Sequence, residues 1–178
     1  MSKIYQNSIK NVVTFNGTGL HSGKNTNVKL IPAAENEGIN FKRIDFNENN
    51  IIKADYKNVS SATLCTTLKN RFGRKVSTVE HLLAALYICG IDNVTIEIDN
   101  EEIPILDGSS KEFINILKNA GIKKQTTRKK YLKILKRIEY QDKDKKISIE
   151  PSSSFEVDFE LYYNNKIIGN QRNKIDFT

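Results

Sequence analysis

The stretch Ser77-Thr-Val79-Glu80-His81-Leu82-Leu83-Ala-Ala-Leu86-Tyr-Ile-Cys89-Gly90-Ile-Asp-Asn93-Val94-Thr95-Ile96-Glu97-Ile98 decides the fold class, because its hydrophobic period changes in the middle. Up to Cys89 the apolar residues recur at helical spacing, with Val79, Leu82, Leu83, Leu86 and Cys89 on one stripe. Gly90 stops the helix, and from Val94 the pattern alternates strictly, as in a half-buried strand. The spacing of Ser77 and Glu80 predicts a capping box, with Ser77 as N-cap and Glu80 at the third helical position. Ser109-Ser-Lys-Glu112 repeats the device and opens a second helix over Phe113 to Ala120, stopped by Gly121. Residues 11–15, 26–31, 39–44 and 63–69 read as strands. Two helices among strands, without regular βαβ alternation, predict an α+β fold: a two-layer sandwich domain with a β-sheet packed on two helices.

Beyond residue 125 the texture changes. Gln125 to Lys130 reads as a linker, followed by strand-like runs at 131–138, 146–150 and 155–163. We therefore place a first domain at 1–125 and the incomplete beginning of a second at 126–178, which breaks off within an alternating pattern. The chain of 178 residues carries 28 Lys+Arg against 21 Asp+Glu, a net charge of +7. That excess lies almost wholly beyond Lys123, where Tyr131 is the single aromatic in the basic run. Such a run gives nucleic acid few stacking platforms, and no nucleic-acid partner is expected. No apolar run reaches the ~18–20 residues needed to span a bilayer, and the N-terminus lacks a secretory signal. Two cysteines, Cys65 and Cys89, fit reduced thiols. These features predict a cytoplasmic protein.

Familiar chemical motifs fail. Thr18 stands where a phosphate-binding P-loop needs its first glycine, and Glu80-His81 has neither the order nor the spacing of HExxH or HxxEH. Glu80-His81 keeps two readings: a helix cap beside an ordinary histidine, or a general base beside a metal ligand. The helix side shared by His81, Ala84, Ala85 and Ile88 is small and apolar, so a further element is expected to cover it. His21 in the glycine-rich turn either lines a cleft or is solvated. Cys65, beside Leu64, is either a site thiol or a strand residue. Asp107 suits a turn in which it accepts from backbone amides.

Five segments carry a resemblance: Gly17-Thr-Gly19-Leu-His21-Ser-Gly23, Leu64-Cys65-Thr66, Ser77 to Leu82, Gly90 to Asn93 and Glu102-Ile-Pro-Ile-Leu-Asp-Gly-Ser109, with a weaker match at Asn170-Gln171-Arg172. In order and spacing they resemble the UDP-3-O-acyl-N-acetylglucosamine deacetylase (LpxC) family of lipid A biosynthesis, from about residue 6 onward. The resemblance implies a zinc-dependent amide hydrolase that removes the N-acetyl group from UDP-3-O-acyl-N-acetylglucosamine and releases acetate. It implies two domains of similar topology with the site between them, His81 as a zinc ligand, Glu80 as general base, and His21, Leu64 and Cys65 lining the substrate cleft. The family's remaining zinc ligands and its second catalytic histidine are expected beyond residue 178, since no histidine follows His81. The chain is accordingly expected to be a fragment inactive alone, from a complete protein that is monomeric with at most peripheral membrane contact. A non-catalytic UDP-sugar- or partner-binding relative and a basic RNA-binding module are the alternatives.

Overall fold

The change of period at Gly90 separates a helix from a strand, and the rest of the first unit is arranged around these two elements. A computed structural model describes residues 4–176. They form an α+β chain divided into two compact units, Met1–Lys129 and Lys130–Thr178. The first unit contains β1 (Tyr5–Ile9), β2 (Val13–Thr18), β3 (Asn25–Pro32), β4 (Ile39–Arg43), β5 (Ile51–Lys53), β6 (Val59–Ser61), β7 (Thr67–Lys69), β8 (Lys75–Val76), α1 (Glu80–Ile88), β9 (Val94–Ile98), α2 (Lys111–Ala120) and β10 (Ile122–Arg128).

Its main sheet has the order β2-β3-β9-β4-β5, with β9 central, antiparallel to β3 and parallel to β4. The alternation of β9 buries Val94, Ile96 and Ile98. These residues share one hydrophobic core with Val28, Leu30 and Phe41 of the neighbouring strands and with Leu82, Leu86, Phe113 and Leu117 of the helices. Two smaller sheets complete the unit, β1-β10 and β6-β7-β8. The second unit contains two antiparallel hairpins, β11 (Ile138–Asp142) with β12 (Lys145–Ile149) and β13 (Glu156–Tyr162) with β14 (Asn170–Asp176). None of its described residues is buried.

Several expectations are corrected. Gln125 to Arg128 is not a linker: it belongs to β10, paired with β1, and the division between units falls after Lys129. The strand escapes a hydrophobicity reading because, after Ile122, its inward positions Gln125 and Thr127 are polar. Gln125 donates to the carbonyl of Ala33 at 3.0 Å and accepts from Asn93 at 2.7 Å, while Thr126 and Thr127 donate to Glu35. Residues 131–137 do not form a strand. The β11–β12 register runs from Asp142↔Lys145 to Ile138↔Ile149, and Pro151, which has no N–H, follows soon after, so earlier residues lack a partner strand. The 63–69 run is a strand only over Thr67–Lys69, because Leu64 takes a left-handed φ of 65°.

The capping boxes do not form. Ser77 lies in a bridge with Glu102, its N–H bonded to the carbonyl of Glu101 at 2.8 Å. Val79 takes the N-cap position without a side-chain bond, and Glu80 opens α1. Ser110 rather than Ser109 stands at the N-cap of α2. Ala85, expected beside His81 on the second face of α1, is fully buried in the core, so the outer face is narrower: Ala84, Tyr87 and Ile88 are exposed and His81 is half-buried.

Candidate functional site

Glu102 organises the region in which the candidate residues lie. It follows β9 at a buried position, 2% exposed, and a carboxylate there must be supplied with donors. Three come from two different segments. The backbone N–H groups of His21 and Ser22 donate to it at 2.9 and 2.7 Å, and the hydroxyl of Thr78 donates at 2.9 Å. Burial pushes the carboxyl up, but the hydrogen bonds from Ser22, His21 and Thr78 outweigh it and hold Glu102 below the usual carboxylate range.

Gly19 makes this approach possible, since a Cβ there would overlap Glu102 Oε2 and lie 2.5 Å from Ser22 Oγ. Gly17 packs less tightly on the next part of the same segment, where a Cβ would meet Pro104 Cβ at 3.0 Å. The N–H of Ile105 donates to the carbonyl of Thr18 at 3.0 Å. The turn carrying His21 is therefore fastened along 102–105, with the His21 side chain exposed.

The other arm of Glu102 holds the entry to α1. Thr78 adopts φ 55°, a conformation that β-branched residues rarely take. It directs the chain into Val79, Glu80 and His81. Glu80 is half-buried in the first turn of α1, and its carboxylate accepts the N–H of Thr66 at 3.2 Å to Oε2 and 3.4 Å to Oε1. That contact joins it to the loop holding Leu64, which is 86% exposed, and Cys65, whose Sγ lies 3.8 Å from Thr67 Oγ1. The carbonyl of His81 accepts the Ser110 hydroxyl at 3.0 Å. Asp107 shapes that end of the segment, accepting from the N–H and hydroxyl of Ser109, and the Ser109 bonds hold its carboxyl below the usual range.

Thus four of the five segments meet here. Glu102 to Ser109 carries the His21 turn and the start of α1, and the Leu64–Thr66 loop reaches Glu80 through Thr66. The fifth, Gly90 to Asn93, serves the fold: Asp92 accepts the N–H of Asn7 at 2.7 Å and pairs with Lys129 at 2.9 Å, and Asn93 bonds Gly38, Gln6 and Gln125.

Among the described residues, no group of three or more His, Cys, Asp and Glu side chains is placed to hold a metal ion. A catalytic zinc takes about three protein ligands. His81 and its neighbour Glu80 do not by themselves make that set. Nor, among the described residues, is any helix long and apolar enough to cross a membrane.

Sequence comparison places this geometry in a family. The family model for UDP-3-O-acyl N-acetylglycosamine deacetylase, LpxC, matches residues 6–178. The chain belongs to the LpxC family. It is 42% identical over 174 residues to the UDP-3-O-acyl-N-acetylglucosamine deacetylase of Aliivibrio fischeri, covering 98% of this chain and 57% of that protein. It is 41% identical over 173 residues to the protein of the same name from Geotalea uraniireducens, covering 97% of this chain and 56% of that one. The LpxC-family chain thus spans somewhat more than half the length of these curated relatives. Neither composition nor periodicity singles out Glu102, Thr78 or Thr66. The available signal is an acidic residue placed two positions before Pro104, four residues after the end of a buried strand.

Proposed function

We propose that this chain forms the first part of a UDP-3-O-acyl-N-acetylglucosamine deacetylase, contributing Glu80 as general base, His81 as one ligand of a zinc ion, and His21, Leu64 and Cys65 to the substrate cleft. The observation that carries the reading is Glu80. Its carboxylate opens α1 beside His81, half-buried, and among the described residues it accepts the long contact from the Thr66 amide at 3.2 and 3.4 Å. It can therefore take a proton from water as the water adds to the acetamide carbonyl, and return it to the nitrogen as the C–N bond breaks and acetate leaves. Bound zinc would supply Lewis-acid chemistry, and the rest of its ligand set is expected outside residues 4–176. In this reading the first unit is a two-layer α+β sandwich domain and the second unit begins a second domain of similar topology. The complete protein is monomeric and cytoplasmic, makes at most peripheral membrane contact and binds no nucleic acid.

The test joins the chain to the portion of the Aliivibrio fischeri relative that it does not cover and measures acetate release. The fusion is expected to be active and the 178-residue chain inactive, and Glu80→Gln in the fusion is expected to lose about 10²–10⁴-fold in kcat, the usual worth of a general base. A folded fusion that is inactive where the relative is active overturns the function. Full activity after Glu80→Gln overturns the role of Glu80.

A further inference from the structure

We propose that Glu102 is a positioning residue for this site: its carboxylate joins the His21 turn to the left-handed residue that launches α1, and so sets where Glu80 and His81 stand relative to His21. The inference rests on the reading of those three residues as site residues.

Three observations carry it. The donors to Glu102 come from two segments far apart in sequence, His21 and Ser22 on one side and Thr78 on the other, and the carboxylate is the shared acceptor. The geometry is tight enough that the turn requires Gly19, whose missing side chain leaves the space filled by the carboxylate. Thr78 is held at φ 55°, where a β-branched residue is strained and persists only if its surroundings impose it. Those surroundings are the bonds of its neighbour Ser77 to the Glu101–Ile103 segment and its own hydroxyl on Glu102. A change at the carboxylate therefore reaches Glu80 and His81 through two and three residues of chain. A glutamine of the same shape cannot replace it: with its oxygen kept on His21 and Thr78 its NH₂ faces the Ser22 N–H, and with the amide turned over it faces the His21 N–H.

The experiment uses the metal-free 178-residue chain and its Glu102→Gln variant at one fixed pH, read by amide hydrogen exchange and by backbone and imidazole NMR shifts. Exchange protection of the His21 and Ser22 amides is expected to fall by about tenfold or more, as for loss of a charge-assisted bond. The signals of Thr78, Glu80 and the His81 imidazole are expected to move, while Val28, Leu30 and Ile96 keep their protection. A role in stability alone would lower the unfolding midpoint and leave the native-state signals of His81 in place. Unchanged protection at His21 and Ser22, or changes that stop at the turn and do not reach His81, overturns the proposal. If Glu102→Gln does not fold, Thr78→Val removes one donor from the opposite arm. Movement of the His21 and Ser22 amide signals then supports the coupling, and their constancy refutes it. These readouts need no turnover, so an inactive fusion in the acetate assay would defeat the proposed function while leaving this result to stand or fall separately.

Discussion

Replacing Gly19 by alanine tests whether the Glu102 cluster is as tightly built as its distances indicate. The new Cβ would overlap Glu102 Oε2, lie 2.8 Å from Glu102 Cδ and approach Ser22 Oγ to 2.5 Å. Relief by a side-chain swing is closed off, because the carboxylate is 2% exposed and fixed by donors at 2.7, 2.9 and 2.9 Å. Either the turn lifts away or the carboxylate gives up at least two bonds. Hydrogen bonds to a charged group are each worth about 1.5–3 kcal/mol, so the loss is about 3–6 kcal/mol. With a urea m-value of about 2 kcal/mol per molar, the midpoint falls by roughly 2 M.

Gly23→Ala is the control. Gly23 sits at φ 64° with no atom within 4 Å of its would-be Cβ, so it carries only the left-handed penalty of about 1–2 kcal/mol. Urea unfolding followed by far-ultraviolet circular dichroism compares the two variants. If Gly19→Ala costs no more than Gly23→Ala, the crowding around Glu102 does not exist as described and the reasoning fails.

Asn93 is 1% exposed, accepts from Gly38 and donates to Gln6 and Gln125; Asn93→Leu leaves the Gly38 N–H and the Gln125 side-chain oxygen unpaired, while Gln6 keeps the Asn36 N–H, and should cost about 3 kcal/mol in the same urea assay. Glu35, whose carboxyl is lowered from 4.5 to about 2 by its bonds to Thr127 and Thr126, stabilises the fold above its unfolded value. That contribution should be lost as pH falls from about 4.5 towards 2, and Glu35→Gln should flatten this part of the acid-unfolding profile. On α1, Leu82→Ala removes a fully buried side chain and should cost about 2–5 kcal/mol. Ile88→Ser, at a position 55% exposed, should stay within about 0.5 kcal/mol of the parent; similar losses for both would mean that the faces of α1 are misassigned.

The elements legible in the sequence are those whose buried face is apolar. Val94, Ile96 and Ile98 announce β9 because alternate positions meet one core, and Leu82 and Leu86 announce α1 for the same reason. What sequence patterning misses is built from polar atoms. β10 turns Gln125 and Thr127 inward onto Asn93 and Glu35, so it has the composition of a linker and the pairing of a strand. The Ser77–Glu80 spacing fits a capping box, yet Ser77 is taken by the Glu101–Ile103 segment and Thr78 by Glu102, long-range partners that no local rule contains. In the candidate site, His21, Leu64, Cys65, Glu80 and His81 are found through ordered motifs, whereas the carboxylate joining two of those motifs lies in a segment that reads as architectural.

Glu102 and Glu80, two carboxylates of this region, stand in different environments. Glu102 is buried, receives three donors at 2.9 Å or less from two segments, and is held below the usual carboxylate range by them once burial is overcome. A carboxylate so fully bonded is poorly suited to exchange protons, because protonation would cost it the interactions that keep it in place. Glu80 is half-buried, and the Thr66 amide reaches it at 3.2 and 3.4 Å, beyond the usual range for a strong charge-assisted bond. In the proposed reading the fixed carboxylate supplies geometry and the loosely held one the base, and the chain between them is two residues long, Thr78 and Val79, with Thr78 bonded to the first and leading into the second. Exchanging the roles would fail at both ends: a base locked by three donors could not turn over, and an anchor held by one long contact could not keep Thr78 in its left-handed conformation.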